Sequence, residues 1–352
     1  MQRTYFLGGS SASGFETAFW QEHAQDYGFY LKGGPGTGKS TLMKKIAAAF
    51  GEESVSVYHC ASDPHSLDAV VLEERGIFIA DATAPHESST PLPFVSGETV
   101  DLAEGLHADK LRQSAGEISA LYRDNQAAHA QAKKGYGGIT AMQDTVAGIG
   151  KNALIVEKLT GYAGRLAKRL LPHKSGTERR PTERQCCAVT PQGRLTLLPE
   201  EFDLILLRDD ALAASQMLLT LLGGHAMRCG EPCEITRSLT QTARPVTHLL
   251  LPAQRIAVVS EPAIAPGSTK KPVTTINMQR FYRPELLRQQ RELLRFCTKT
   301  AVSVEARTVE ILADALRIHD ELETYYIRAL SRPFLDKKAA ETVKRILAYA
   351  KS

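Results

Sequence analysis

Residues 27–47 constrain this chain more than any others. They read Tyr-Gly-Phe-Tyr-Leu-Lys-Gly-Gly-Pro-Gly-Thr-Gly-Lys-Ser-Thr-Leu-Met-Lys-Lys-Ile-Ala, and Gly33 to Ser40 fits G-x-x-x-x-G-K-[ST], the phosphate-loop pattern. The flanks carry as much information as the motif. Phe29-Tyr30-Leu31 are β-formers that predict a short buried strand. Leu42, Met43, Ile46 and Ala47 recur at the spacing of an apolar helical stripe. Strand, glycine loop and helix together predict an α/β fold of the P-loop NTPase three-layer type.

The residue types suit phosphate. Gly33, Gly36 and Gly38 let the backbone turn tightly and bring successive N–H groups onto phosphate oxygens. The helix that follows adds its positive N-terminal end. The expected contact surface is Gly33, Gly34, Pro35, Gly36, Thr37, Gly38, Lys39, Ser40 and Thr41. Lys39 would meet the β and γ oxygens of ATP or GTP, and the Ser40 hydroxyl would complete a Mg²⁺ shell. Thr41 would cap the helix or touch the α-phosphate.

A second magnesium anchor is expected at the end of a neighbouring apolar strand. Arg75-Gly76-Ile77-Phe78-Ile79-Ala80-Asp81 fits, with Asp81 as the carboxylate. No glutamate follows Asp81, so the group that activates water must come from elsewhere. Val55-Ser56-Val57-Tyr58-His59-Cys60 alternates like a strand and runs into a polar loop. In open parallel sheets ligands lie beyond the carboxyl ends of strands. Asp63 and His86 are therefore the catalytic candidates, with His59 and His65 as further proton carriers. The competing reading makes Ser62-Asp63 a turn and Ser66 a helix N-cap.

The chain also contains a second version of its first half. At an offset of 176, Phe29-Tyr30-Leu31-Lys32 falls on Ile205-Leu206-Leu207-Arg208, and Leu111-Arg112-Gln113 on Leu287-Arg288-Gln289. At 179, Ile77–Asp81 falls on Ile256–Ser260, and Gly14 on Gly193. The second copy has lost the loop. Gly33–Ser40 is opposed by Asp209-Asp210-Ala211-Leu212-Ala213-Ala214-Ser215-Gln216, and Asp81 by Ser260. Two aspartates facing a triphosphate are repulsive, so this half is expected not to bind nucleotide.

The segments Lys32–Ile46, His59–Asp63 with Ser66-Leu67-Asp68, and Asp81-Ala82-Thr83-Ala84-Pro85-His86 resemble a family of largely uncharacterised bacterial tandem P-loop ATPases. The resemblance spans the chain and is most specific over residues 5–86. It implies a P-loop fold, ATP or GTP binding and a cytoplasmic location. Members of that family usually keep a phosphate loop in both halves, and this sequence departs at 209–216.

The expected domains are 1–175, an active nucleotide-binding domain, and 186–352, a degenerate copy, joined by a basic linker over 176–185. Each carries a helical extension: 109–134 and 140–172 in the first, about 284–300, 303–330 and 334–350 in the second. A lid, a dimer or partner surface, or packing between the halves are the options for these helices. Arg112, Arg165, Arg169 or an arginine of the linker are candidates to reach a γ-phosphate.

Composition excludes several other classes. The chain is 43% hydrophobic and 23% charged, which rules out a disordered or collagen-like chain. No apolar run approaches the ~20 residues needed to span a bilayer, and the N-terminus lacks a signal-peptide core. A net charge of +4, with no aromatic residues interleaved in the basic linker 172–185, argues against nucleic acid. The six cysteines form no C-x-x-C pair. They read as reduced thiols rather than a zinc site joining Cys186 and Cys187 to Cys229 and Cys233. The expected reaction is Mg-dependent ATP hydrolysis at one site. Phosphoryl transfer, with Asp63 or Asp68 holding an acceptor, and non-hydrolysing nucleotide sensing are the alternatives.

Overall fold

The computed structural model describes residues 3–171, 176–261 and 270–349. The first half contains β1 (Arg3–Phe6), β2 (Gly9–Ser10), β3 (Phe15–Glu16), α1 (Phe19–Glu22), β4 (Tyr27–Lys32), α2 (Lys39–Ala49), β5 (Val55–His59), β6 (Leu67–Leu72), β7 (Ile77–Asp81), β8 (Gly97–Asp101), α3 (Ala108–Gln113), α4 (Ala115–Ala153) and α5 (Val156–Leu170). The second contains β9 (Thr182–Glu183), β10 (Cys187–Thr190), β11 (Gly193–Thr196), β12 (Asp203–Arg208), α6 (Ala213–Arg228), β13 (Glu234–Arg237), β14 (Val246–Leu251), β15 (Ile256–Ser260), β16 (Thr274–Asn277), α7 (Pro284–Gln289), α8 (Arg291–Ala329) and α9 (Arg332–Ala348).

Two six-stranded sheets result, so the chain is mixed α/β. Their orders are β1-β5-β6-β7-β4-β8 and β9-β13-β14-β15-β12-β16. These are the same order at equivalent positions, and the pairing senses agree. In each, the third strand alone runs against the other five. Register agrees too: Leu31 pairs Asp81 and Val100, and Leu207, 176 residues on, pairs Ser260 and Ile276. The helices α3 and α7, α4 and α8, and α5 and α9 each begin 176 residues apart.

The compact units do not follow the expected 1–175 and 186–352 division. One comprises residues 1–9, 19–132 and 310–352, the other 10–18 and 133–309. The α/β core of the first half thus takes the last helix, α9, and that of the second takes α5. A 39-residue helix is about 58 Å long at 1.5 Å per residue. Helices α4 and α8 are both this long, and each passes from one unit into the other. The segment 176–185 is not simply a linker either. Thr182–Glu183 pairs in parallel with Glu234–Ile235 as an edge strand. Residues 172–175 of that basic stretch lie outside the described residues.

The expected helix breaks near 135–139 and 300–303 are absent. Gly135, Gly137 and Gly138 should weaken a helix, yet α4 continues through them. A Cβ on Gly135 would sit 2.1 Å from Thr308 Oγ1, and one on Gly138 3.3 Å from Val304. Those glycines permit close approach of α8 rather than ending α4. The chain does break at Leu154, which bridges to Tyr282, before α5 begins.

In the first unit, Tyr27, Phe29 and Leu31 of β4 pack with Ile77 and Ile79 of β7 against Leu42, Met43 and Ile46 of α2, and Leu335, Ala339 and Ile346 of α9 back them. The opposite face is covered by aromatic rings rather than a long helix. Phe19 meets Tyr58 and Phe78 edge-on at 5.0 and 5.5 Å, and Trp20 stacks on Tyr30 at 5.9 Å. The helix on that face is a single turn, α1. In the second unit, Leu159 and Leu166 of α5 pack with Leu218, Leu219 and Leu222 of α6 over Leu249, Leu251 and Val258.

Candidate functional site

All strands of the first sheet except β6 run the same way, so the loop after β4, Asp81 and the loops after β5 and β7 share one sheet edge. The β4 strand ends at Lys32, and the loop enters α2 at Lys39. Gly36 has φ +65° and Gly38 φ +85°, backbone that side chains rarely adopt. Space forbids a side chain as well. A Cβ on Gly36 would lie 2.8 Å from the Glu323 carbonyl, and one on Gly38 2.6 Å from Leu335. Gly38 is the N-cap of α2, and no side chain caps its first turn. The orphan N–H groups and the dipole end there are what an anion uses.

The loop is braced by its own residues. Thr37, fully buried, donates its hydroxyl to Gly34 O at 2.8 Å. Lys39 Nζ donates to Gly33 O at 2.7 Å and Gly34 O at 2.9 Å, and lies 3.6 Å from Asp81 Oδ2. Asp81 Oδ1 accepts from Thr83 N–H at 2.9 Å and from the Thr83 hydroxyl at 2.5 Å. Ser40 Oγ accepts from Leu67 N–H at 3.0 Å, which ties α2 to the start of β6. Pro35 is half-buried in the loop, and Thr41 is exposed in the first turn of α2.

The catalytic candidates fare differently. Asp63 is engaged in its own turn: Oδ1 accepts from His65 N–H at 3.1 Å and Oδ2 from the Ser66 hydroxyl at 2.5 Å. Ser66 leads into strand β6, not into a helix, so its N-cap reading is corrected. His59 Nδ1 lies 2.7 Å from Pro64 O, and Lys44 Nζ holds His65 O at 2.7 Å. His86 is buried, with Nε2 3.3 Å from Asp68 Oδ2. Burial alone would lower its pKa, but Asp68, and more distantly Asp81, hold it above the ordinary histidine value against the opposing charge of Lys39. Cys60 lies beside Asp68, and burial first, then that carboxylate, push its thiol well above the usual range. A thiol so held is not a free nucleophile. Arg112 is exposed and pairs with Asp109.

One group at the loop was not foreseen. Glu323 of α8 accepts a hydrogen bond from Gly36 N–H at 3.0 Å, and His319 Nε2 lies 3.4 Å from its carboxylate. His319 first, then the Gly36 N–H and Lys39, hold the Glu323 carboxyl below its ordinary value. Asp320 beside it is pushed up by burial and by the carboxylates of Asp63 and Glu323. The Tyr326 ring would be 3.1 Å from a Cβ on Gly34. Nothing local in the sequence marks these residues; only contact across 287 positions does.

The equivalent region of the second unit keeps one positive-φ residue, starts its helix two residues earlier, at Ala213 where Lys39 is opposite Ser215, and fills the space. Leu212, opposite Gly36, has φ +63°. Asp209, opposite Gly33, is buried and accepts from Ser215 N–H at 2.7 Å and Ala211 N–H at 3.2 Å. The Tyr282 hydroxyl donates to both its oxygens, at 2.8 and 3.1 Å, and accepts from Ala214 N–H at 2.7 Å. The Lys39–Asp81 ion pair is represented by Ser215 and Ser260, whose hydroxyls are 3.2 Å apart. A carboxylate of the chain itself thus holds N–H groups of this loop.

No helix of the described residues is long and apolar enough to cross a membrane. Comparison with family models, curated proteins and solved structures found no match to this chain.

Proposed function

We propose that the first unit binds ATP or GTP with Mg²⁺ and hydrolyses it, as the single working site of an internally duplicated P-loop fold. The second copy is a pseudo-site. The observation that carries this reading is the Gly33–Ser40 loop, which leads from β4 into the uncapped start of α2 with Lys39 3.6 Å from Asp81. A lysine resting on loop carbonyls is poised to exchange them for phosphate oxygens, which carry more charge.

The N–H groups from Gly36 to Ser40 would hold the β-phosphate, and Lys39 would span the β and γ oxygens. The Ser40 hydroxyl and the Asp81 carboxylate are the magnesium ligands this chain offers, an all-oxygen set suited to a hard cation. Magnesium, when bound, offsets charge on the β and γ oxygens. In hydrolysis a water oxygen bonds to the γ-phosphorus, the bond to the β–γ bridging oxygen breaks, and the water proton goes to a base. Glu323, once phosphate has displaced its carboxylate from the Gly36 N–H, would serve as that base, ahead of Asp63, which its own turn keeps engaged. The kinase alternative loses its acceptor-holding residues for the same reason, since Asp68 is buried against His86.

Nucleotide sensing gains support from the Glu323 contact. A phosphate that takes the Gly36 N–H must displace that carboxylate, and with it the local packing of α8. Phosphate release measured without any acceptor separates the two readings. Release from Mg²⁺–ATP or Mg²⁺–GTP that disappears in Lys39→Ala supports hydrolysis. Tight binding with no release supports sensing, and no binding of either nucleotide overturns both.

A further inference from the structure

Three side chains of the first unit meet at the sheet edge without belonging to the phosphate loop. Cys60 follows β5, Asp68 is the second residue of β6, and His86 lies beyond β7. A sulfur, a carboxylate oxygen and an imidazole nitrogen from these residues all lie within 4.8 Å of one another. Asp68 and His86 are 5% and 7% exposed. Asp68 Oδ2 faces His86 Nε2 at 3.3 Å and makes no well-formed hydrogen bond among the described residues. Buried carboxylate oxygens are normally satisfied.

We propose that Cys60, Asp68 and His86 form a site for a zinc-class divalent cation, bound through one sulfur, one oxygen and one nitrogen with a fourth position open. Zinc binds such ligands at about 2.0–2.3 Å, which sets ligand atoms roughly 3.3–3.8 Å apart around a tetrahedron. The observed spacing needs only a small contraction to reach this. A thiolate and an imidazole select a borderline or soft ion, whereas magnesium prefers oxygen alone. The site is therefore chemically distinct from Ser40 and Asp81. On binding, the Cys60 S–H bond breaks, its proton passes to solvent, and the sulfur lone pair makes the bond to the metal. Three protein ligands and one open position are the arrangement of reactive rather than structural zinc. The charges of Asp81 and Lys39 act on His86, so an ion here lies within electrostatic reach of the phosphate loop.

The proposal stands without the nucleotide reading, and its test uses no nucleotide. Full-length reduced protein, stripped with a chelator, is titrated with Co²⁺ alone in excess Mg²⁺. The expected result is about one Co²⁺ per chain with a thiolate-to-cobalt charge-transfer band. Zn²⁺ should bleach that band, and Cys60→Ser should lack it. His86→Gln should weaken Co²⁺ binding at least tenfold while circular dichroism shows both variants folded. If Cys60→Ser does not fold, His86→Gln and Asp68→Asn carry the test. A folded wild type with no band, or a band that persists at full strength in Cys60→Ser because other thiols bind the ion, overturns the proposal.

Discussion

The carboxylate of Glu323 accepts the N–H of Gly36 at 3.0 Å, although 287 residues separate them. A hydrogen bond to a charged group contributes about 1.5–3 kcal/mol, reduced here because a third of the Glu323 side chain is exposed. An incoming phosphate competes for that N–H and meets a like charge. Glu323→Gln keeps an acceptor but removes the charge. It should tighten binding of a non-hydrolysable ATP analogue by about three- to tenfold, read by calorimetry. Weaker binding would show that the carboxylate assists the nucleotide instead of competing with it.

Leu212 has φ +63° and ψ −34°, sparsely populated backbone that costs an L-residue about 1–2 kcal/mol. Its side chain is buried with Val146, Ala147 and Cys297, which contributes about 1.5–3 kcal/mol. Burial wins, so both Leu212→Ala and Leu212→Gly should destabilise the second unit. The order should be unusual: Leu212→Gly, which relieves the backbone, should be about 0.4–1 kcal/mol more stable than Leu212→Ala. Urea unfolding that placed alanine above glycine would contradict this.

The Tyr282 hydroxyl both donates to Asp209 and accepts from Ala214 N–H. Tyr282→Phe leaves a buried N–H and a buried carboxylate short of partners. It should cost the second unit about 1–3 kcal/mol and leave nucleotide binding unchanged. A loss of nucleotide affinity in a fully folded Tyr282→Phe chain would assign a function to the second copy.

Burial pushes the Asp209 carboxyl above the ordinary aspartate value of 3.8, against the opposing hydrogen bonds from Ser215, Tyr282 and Ala211. The folded state therefore holds this proton more tightly than the unfolded chain. The resulting stabilisation is fully present below 3.8 and is lost as pH rises through the raised folded value. Unfolding free energies of wild type minus Asp209→Asn should fall as pH rises across that window and be flat above it. A difference that rises with pH there would mean the carboxyl is depressed, not raised.

What the sequence disclosed was local. The loop from Gly33 to Ser40 carries its own turn residues, its lysine and a helical stripe, so strand, loop and helix were legible within 21 residues. Asp81 at the end of β7 was legible because a four-residue apolar run precedes it. The repeat was legible because spacing survived where identity did not, as Leu212 at φ +63° against Gly36 at φ +65° illustrates. The rest depends on distance in the chain. The expected break between 134 and 140 is bridged at Gly135 and Gly138, whose partners, Thr308 and Val304, are some 170 positions away. Helix α9 could not be assigned to the first unit, since only contacts with distant segments, such as α2 and Glu98 of β8, place it there. Glu323 and the meeting of Cys60 with Asp68 and His86 are long-range for the same reason.

The central claim is one nucleotide per chain, held by the first unit alone. Titrating the full chain with a non-hydrolysable ATP or GTP analogue in Mg²⁺ should give a stoichiometry of about one, abolished by Lys39→Ala and unaltered by Tyr282→Phe. Two sites per chain, or binding that survives Lys39→Ala, would contradict it.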